Sequence, residues 1–284
     1  MRRAALALPL LFVGCSTQTN YTLADGSPPV RLVAAAYDQG QHEATCKPWH
    51  AVHAPDGRLL TKGLGGTFPH HRGLFVGWNQ VDCHGARLDF WHCRNGETQR
   101  VRQHEPAADG ERLTVDWCAA DGRPIVQEVR SLRVSPWRDG GYRVDLEHTL
   151  RAAGAEVVLG GDPQHAGCQF RALEAFAPAT APKVGYVRPP TAIGAANDVW
   201  HDCRWIAAIL PLPDGAITVL RIEAAGNPTA TWSTRGYGRF GAMWTLALPA
   251  DGTPQRLATT WLVVAGERDA AWCGTAAAAA LAGS

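Results

Sequence analysis

The sequence has almost no net charge, no long apolar run and none of the common cysteine or glycine motifs. Lys and Arg total 27 against 26 Asp and Glu, a formal net charge of +1, so nothing favours nucleic acid or an acidic membrane surface as a partner. No run of about 20 apolar residues occurs, which argues against a transmembrane helix. CxxC, G-x-S-x-G, Walker A and strand-to-helix G-x-G-x-x-G motifs are also missing, so zinc-knuckle, α/β-hydrolase, P-loop and dinucleotide sites are not supported.

The amino terminus is predicted to be a lipoprotein signal followed by a linker. Residues 1–14 carry two arginines directly after Met1 and continue into a short apolar stretch, as signal peptides do. "LFVGC" followed by Ser16 resembles a bacterial lipobox, and the resemblance implies cleavage before Cys15 and lipidation of that cysteine. An ordinary secretory signal cleaved nearby is the alternative. Residues 15–27 have the polar, Gly- and Pro-containing composition of a linker. We therefore expect a cell-envelope protein, on the periplasmic side of the outer membrane, that touches the membrane only through its lipid anchor.

The cysteines are compatible with two states. The chain has 8 of them, and lipidation of Cys15 would leave an odd number. In an oxidising compartment, the remainder permits up to three disulfides and at least one free thiol. Alternatively, most of these cysteines are small buried apolar side chains. The spacing does not identify any pairing.

The fold is predicted to be all-β, a large antiparallel β-sandwich over residues 28–268. Asp-Gly pairs recur along the chain, for example at 121–122, 214–215 and 251–252, between apolar segments. Such pairs favour two-residue hairpin turns, in which both positions need φ > 0. Stretches such as "YRVDLEHTL" alternate apolar and polar residues with the period of half-buried strands. The alanine-rich tail, residues 269–284, lacks an amphipathic stripe and is expected to fray.

The first cluster of candidate functional residues is "PHHRGLFVGW", which holds His70, His71 and Arg72. Adjacent side chains on an extended chain point to opposite faces. Both histidines can therefore enter one pocket only if Pro69 and Gly73 break the strand. We expect His71 to face inward, and a solvated loop is the alternative.

The second cluster is "ARLDFWHC", which is predicted to be a strand with Asp89 and Trp91 on one face and His92 on the other. An acid beside a tryptophan suits sugar recognition, because the carboxylate binds hydroxyls and the indole stacks on the apolar ring face. An exposed acid next to a core tryptophan is the alternative.

The third cluster is "GGDPQHAGCQFRA", where His165 lies in a turn that leads into a strand. Gln169 and Arg171 are two residues apart in that strand and so share a face. They are candidates for the wall of a pocket. Across the three clusters, His71, Asp89, His92 and His165 could also form a facial metal-binding set.

Four motifs in order resemble one bacterial family. They are "FPHHRGLFVGW", "DFWH", "DPQHAGCQFRA" and "WSTRGYGRFGAMW", and the family often carries the automatic label "methane oxygenase PmoA". The resemblance implies an extracytoplasmic β-rich protein that accompanies sugar oxidoreductases and isomerases, with galactose-mutarotase-like architecture. It does not imply a membrane monooxygenase subunit, which would need several apolar spans. The matching positions are His70, His71, Arg72, Asp89, Trp91, His165, Gln169, Arg171, Arg235, Tyr237 and Gly238. The chain departs from the family at Ser233, where a histidine is common, and at 224–228.

These observations predict a carbohydrate-active enzyme that uses acid/base chemistry, of epimerase or lyase type, on a sugar or keto-sugar, without a cofactor. Such chemistry needs an acid, a base and a stabiliser for oxyanion charge. Two alternatives stay open: a non-catalytic sugar-binding lipoprotein, and a protein with a divalent metal ion, for which the family label favours copper. The expected roles are an acid/base pair (His71, His165), an orienter or base (Asp89), oxyanion or hydroxyl clamps (Arg72, Arg171, Arg235), a stacking platform (Trp91) and further substrate contacts (His70, Gln169, Tyr237).

Overall fold

Long antiparallel strands, in which buried and more exposed side chains alternate, make up most of the structure. The structure is a computed structural model that describes residues 20–283. The predicted signal peptide and Cys15 lie outside the described residues. Residues 142–152 show the pattern most clearly, since every second side chain from Tyr142 to Ala152 is buried. One face of each such strand therefore packs against the core and the other faces outward.

The described residues form twenty strands. In chain order they are β1 (Val30–Val33), β2 (Trp49–Val52), β3 (Leu74–Trp78), β4 (Gln80–Cys83), β5 (Ala86–Leu88), β6 (Thr98–Ala107), β7 (Gly110–Cys118), β8 (Pro124–Pro136), β9 (Tyr142–Ala152), β10 (Val157–Gly160), β11 (Ala166–Arg171), β12 (Gly185–Val187), β13 (Ile193–Ala195), β14 (Val199–His201), β15 (Trp205–Leu210), β16 (Ile217–Glu223), β17 (Thr231–Arg235), β18 (Arg239–Met243), β19 (Leu246–Leu248) and β20 (Gln255–Ala265). The two α-helices are α1 (His42–Thr45) and α2 (Ala270–Ala282).

Two eight-stranded sheets form the sandwich. The first has the order β1-β2-β3-β11-β18-β17-β14-β13, and the second has the order β12-β15-β16-β20-β9-β8-β7-β6. A third sheet has four strands in the order β19-β10-β4-β5. Within each sheet, neighbouring strands pair antiparallel, as β3 does with β11 and β8 with β9. The prediction of an all-β antiparallel sandwich is confirmed.

The space between the large sheets holds apolar side chains and buried charged groups, among them Glu128 and its partners. Trp78, Trp117 and Trp232 belong to the main core and are fully buried. Glu128 lies among them and accepts hydrogen bonds from Arg130 Nε at 2.8 Å, His148 Nδ1 at 2.6 Å and Trp117 Nε1 at 2.8 Å. Burial raises the pKa of Glu128, but Arg130 and His148 outweigh it and hold that pKa well below the ordinary value of 4.5. The carboxylate of Glu128 is thus charged, paired and buried within the core.

The Asp-Gly turns lie where predicted, with a different geometry. At 121–122 the amide of Gly122 donates to Ala119 O at 2.9 Å, and only the glycine has a positive φ, of 85°. The loop is therefore longer than the two-residue turn expected. The turn at 251–252 connects two sheets rather than two paired strands, because β19 pairs with β10 and β20 pairs with β16 and β9.

The alanine-rich tail is a packed helix, so the prediction that it frays is wrong. Asp269 caps α2 by accepting a hydrogen bond from Trp272 N at 2.8 Å. Cys273 and Ala276 are fully buried against Leu220 and Leu262 of the second sheet. Small side chains allow the helix to approach the sheet closely, and no apolar stripe of large residues is needed.

The end of the segment predicted as a linker is attached to the domain. Leu23 is buried, and the Tyr21 ring lies 5.1 Å from the Tyr142 ring. All seven cysteines of the described residues are buried and none forms a disulfide. No helix within residues 20–283 is long and apolar enough to cross a membrane.

Candidate metal centre

The candidate site lies on the face of the first sheet that points away from the core. Leu74, Val76 and Trp78 of β3 belong to the main core, so Phe75 and Gly77, which alternate with them, face the other way. Gly77 is needed there, since a Cβ at that position would lie 2.6 Å from the carbonyl oxygen of Phe90. The close approach lets the segment after β5 cross directly over β3.

The two adjacent histidines point into the same site because the chain turns at this point. The amide of His71 donates to Phe68 O at 3.0 Å, and Phe68 and Gly73 have φ of 58° and 49°. A turn therefore replaces the strand, and the ring centroids of His70 and His71 lie 4.3 Å apart. Pro69 and Gly73 do break the strand, and His71 is the more buried of the two histidines.

The "DFWH" segment is a turn and not the predicted strand, which ends at Leu88. Asp89 Oδ1 accepts the amides of Trp91 at 2.9 Å and His92 at 2.8 Å. This turn stops the strand, since a short carboxylate side chain competes with the sheet for backbone amides. The other oxygen, Oδ2, lies 2.6 Å from His92 Nδ1. Asp89 therefore orients His92, whose ring lies 4.5 Å from that of His70.

A second acid orients His165. Asp162 places both carboxylate oxygens 3.0 Å from His165 Nδ1 and accepts a hydrogen bond from Asn79 Nδ2 at 2.8 Å. Burial raises the pKa of Asp162, but the hydrogen bond from His165 and the charge of that ring outweigh it and lower the pKa to about 2. The carboxylate is thus charged over the working pH range, and the His165 ring lies 5.9 Å from His70 and 6.1 Å from His71.

The four imidazoles, His70, His71, His92 and His165, are called the histidine cluster below. A nitrogen from each of His70, His71 and His165 lies within 4.8 Å of the nitrogens of the other two. Both nitrogens of His70 and of His71 are buried without a hydrogen-bond partner among the described residues. Buried polar atoms are normally paired, so these four nitrogens point to a ligand.

Electrostatics favour neutral imidazoles at His70 and His71. Burial, followed by the charges of His92 and Lys47, lowers the pKa of His70 to about 3. Burial and the neighbouring His70 lower the pKa of His71 further still. Neutral imidazole nitrogens are the form that binds a metal ion.

The cluster fits a three-histidine metal centre. His70, His71 and His165 would be the ligands, as in metal sites that keep a position open for water or substrate. The carboxylate of Asp162 on His165 Nδ1 is the usual support of a metal-binding histidine and leaves Nε2 for the ion. The metal-binding set predicted from the sequence was His71, Asp89, His92 and His165. The structure brings His71 and His165 together with His70, and Asp89 and His92 are not part of this trio. Asp89 and His92 bind each other instead.

Trp91 and Arg72, which were predicted to contact substrate, are buried and contact other protein groups instead. Trp91 is 0% exposed, with its ring 4.5 Å from that of Phe75, so it cannot act as the stacking platform. Arg72 is buried and donates from Nη1 to Ala44 O at 3.0 Å and from Nη2 to Glu43 O at 2.6 Å. Its fork fixes the α1 segment and is not available as a clamp.

Three further residues predicted to contact substrate, Gln169 and Arg171 of β11 and Arg235 of β17, bond to other protein groups. Gln169 is buried, donates to Ala166 O at 2.9 Å and accepts from Arg239 Nη1 at 3.1 Å. Arg171 is buried and donates to Tyr237 O at 2.6 Å. Arg235 is directed to Asn197 O and, at 3.4 Å, to Asp198. Gln169 and Arg171 are therefore not free to clamp a substrate as predicted, whereas the role of the partly exposed Arg235 stays a prediction.

Tyr237 of the "RGYG" motif lies beside the cluster. Its ring lies 6.4 Å from the His71 ring and is nearly parallel to it. The sequence reasoning missed Asp162 and Phe68. The spacing Asp162-x-x-His165 was a usable signal, since it matches Asp89-x-x-His92. Phe68 gave no signal, because its exposure follows from the turn.

The fold and the site define a β-sandwich protein with a histidine-rich candidate metal centre on one sheet face. The chain belongs to the family described as "Family of unknown function (DUF6807)", whose profile matches residues 22–274. No curated protein is significantly similar in sequence. Among solved structures, the chain is similar to one named "Putative kojibiose phosphorylase from human microbiome", at 9% identity and a TM-score of 0.35. The match covers 89% of this chain but only 28% of that protein.

Proposed function

We propose that this protein is a metal-dependent, carbohydrate-active enzyme of the cell envelope. In this proposal His70, His71 and His165 bind one divalent ion, and the Asp89–His92 pair transfers protons beside it. The observation that carries the proposal is that one nitrogen from each of the three imidazoles lies within 4.8 Å of the other two, with the nitrogens of His70 and His71 unpaired among the described residues.

The proposed ion would polarise a carbonyl or hydroxyl oxygen of the substrate, as a Lewis acid does. Imidazole ligands suit zinc, copper, iron and nickel. The protein would supply a fixed set of imidazole ligands, with Asp162 holding the His165 ring in one orientation.

In this proposal His92 acts as the base. Its Nδ1 is engaged by Asp89 at 2.6 Å, so Nε2 is the nitrogen left to accept a proton. On a sugar or keto-sugar, that nitrogen would remove the proton from a carbon next to a carbonyl group. Delivery of a proton from water to the opposite face would give epimerisation. Departure of a hydroxyl or alkoxyl group from the next carbon, protonated by the imidazolium of His92, would give elimination. The carboxylate of Asp89 stabilises the imidazolium that forms in either case.

This assignment differs from the acid/base pair expected from the sequence. His71 is buried and neutral, which suits a ligand rather than a proton donor. The carbohydrate substrate is supported by the resemblance to the PmoA-labelled family. The lipobox-like sequence before Cys15 supports a lipid anchor as the membrane attachment.

The test combines metal analysis with a turnover screen. We expect about one divalent ion per chain in protein purified without a chelating resin or tag, and turnover of at least one sugar or 3-keto-glycoside that stops on chelation and returns on reloading. His70→Ala should lose the ion, whereas His92→Gln should keep it and lose turnover. His84→Ala, on the exposed β4–β5 turn, is the matched control and should do neither.

Two outcomes would contradict the proposal. Protein that takes up no stoichiometric metal would remove the metal centre. Protein that binds metal and sugars but converts none of the aldoses, disaccharides or 3-keto-glycosides would be a binding protein instead.

A further inference from the structure

Phe68 is an aromatic ring held open to solvent beside the histidine cluster. It is 42% exposed, and it is the only aromatic residue among the strongly exposed large apolar side chains of residues 20–283. A bulky residue at φ 58° is uncommon. Strained backbone of this kind persists only where surrounding contacts impose it, and it concentrates at functional sites.

The loop that carries Phe68 is fixed by one acid. Glu174 accepts the amide of Thr67 at 2.7 Å and pairs with Lys62 at 3.5 Å and Arg171 at 3.2 Å. Gly66 has a φ of 64°, which favours glycine, and a Cβ there would lie 2.7 Å from the Glu174 carboxyl carbon and displace that carboxylate. The exposure of Phe68 is thus built into the loop.

The ring of Phe68 continues the wall of the site. Its centroid lies 5.5 Å from that of His71 and 5.2 Å from that of Tyr237. Tyr237 is itself held by Arg171, whose guanidinium lies 4.8 Å above the tyrosine ring. The two aromatic rings therefore border the proposed metal-binding nitrogens on one side.

We infer that Phe68 and Tyr237 form a platform on which the apolar face of a pyranose ring stacks, next to the histidine cluster. This inference rests on the proposed function for the nature of the substrate and makes it more specific: a closed sugar ring and not an open-chain polyol. A flat C–H face matches an aromatic surface, whereas a flexible polyol presents no such face. The platform takes the place of Trp91, which is buried.

The test is ligand-observed NMR with saturation transfer, using methyl glucopyranoside, methyl galactopyranoside, cellobiose and maltose, with glucitol as the open-chain probe. We expect saturation of ring C–H protons in at least one pyranoside, and an increase in its Kd of about tenfold in Phe68→Ala. Phe68→Tyr should retain binding. Leu64→Ala removes another exposed apolar side chain from the same loop and should leave Kd unchanged.

The inference is overturned if no pyranoside binds, if glucitol binds as well as the pyranosides, or if Phe68→Ala binds them like the wild type. Because binding is measured without turnover, in metal-loaded and chelated protein, the two proposals can fail separately. Pyranosides bound through Phe68 by a protein that takes up no metal would support the platform and contradict the metal centre.

Discussion

Replacing Asp162 by asparagine should weaken metal binding without unfolding the protein. The carboxylate lies 3.0 Å from His165 Nδ1 through both oxygens. Loss of such a carboxylate beneath a metal-binding histidine typically costs about 10–100-fold in affinity. The side chains of His165 and Asp162 are 31% and 42% exposed, so water screens part of their interaction. We therefore expect the lower end, about tenfold, or ~1.4 kcal/mol.

Asp89→Asn is the comparison that makes this prediction specific. Asp89 bonds to His92 and not to one of the three proposed ligands. Its replacement should leave zinc affinity within about threefold and lower kcat by about 100-fold, the usual contribution of a positioned base. Asp82→Asn, in an exposed pair with Arg87, should change neither quantity.

The assay is competition of the apo proteins with a chromophoric zinc chelator, with kcat measured on the reloaded enzymes. If Asp89→Asn weakened zinc binding more than Asp162→Asn, His92 would be a ligand and the assignment of roles would be reversed. Equal affinity of Asp162→Asn and the wild type would show that His165 does not bind the ion.

Three further predictions concern stability, packing and location. Glu128→Gln should destabilise the fold by about 3–5 kcal/mol at neutral pH, because it leaves buried partners unpaired. Since the folded-state pKa of Glu128 is lowered, its contribution is complete above the ordinary value of 4.5 and is lost as the pH falls; urea titrations at pH 7 and pH 4 should show the difference shrinking. Gly77→Ala should lower the free energy of unfolding by about 1–3 kcal/mol and reduce turnover, because the new methyl group would lie 2.6 Å from the carbonyl oxygen of Phe90 and displace it. Gly226→Ala, with nothing within 4 Å of the added carbon, should be neutral, and melting curves compare the two variants. Cys15→Ala should move the protein from the membrane fraction to the soluble fraction, and unchanged fractionation would contradict the lipid anchor.

The fold was predictable because strand signals are local. Alternation in "YRVDLEHTL" and the Asp-Gly turns indicated antiparallel strands, and those strands form. The pairing of the strands was harder to predict from the sequence. The segment before Asp251-Gly252 pairs with β10, about 90 residues away in sequence. The helix at the end was missed because its contact with the sheet uses alanines, which leave no amphipathic pattern.

The candidate site was predictable in its residue types and less so in its geometry. The motifs that hold His71, Asp89 and His165 were identified, and their rings or partners do converge. Strand alternation gave the wrong face for Trp91, because the Asp89 carboxylate captures two backbone amides and turns the chain. The burial of Arg72 could not be seen either, since its partners are backbone carbonyl groups of a distant segment.

Anomalous diffraction from crystals of the zinc-loaded protein, recorded at the zinc edge, tests the central claim most directly. The account predicts one strong peak about 2.0–2.1 Å from a nitrogen of each of His70, His71 and His165. A peak bonded to Asp89 and His92 instead, or no peak at the histidine cluster, would contradict it.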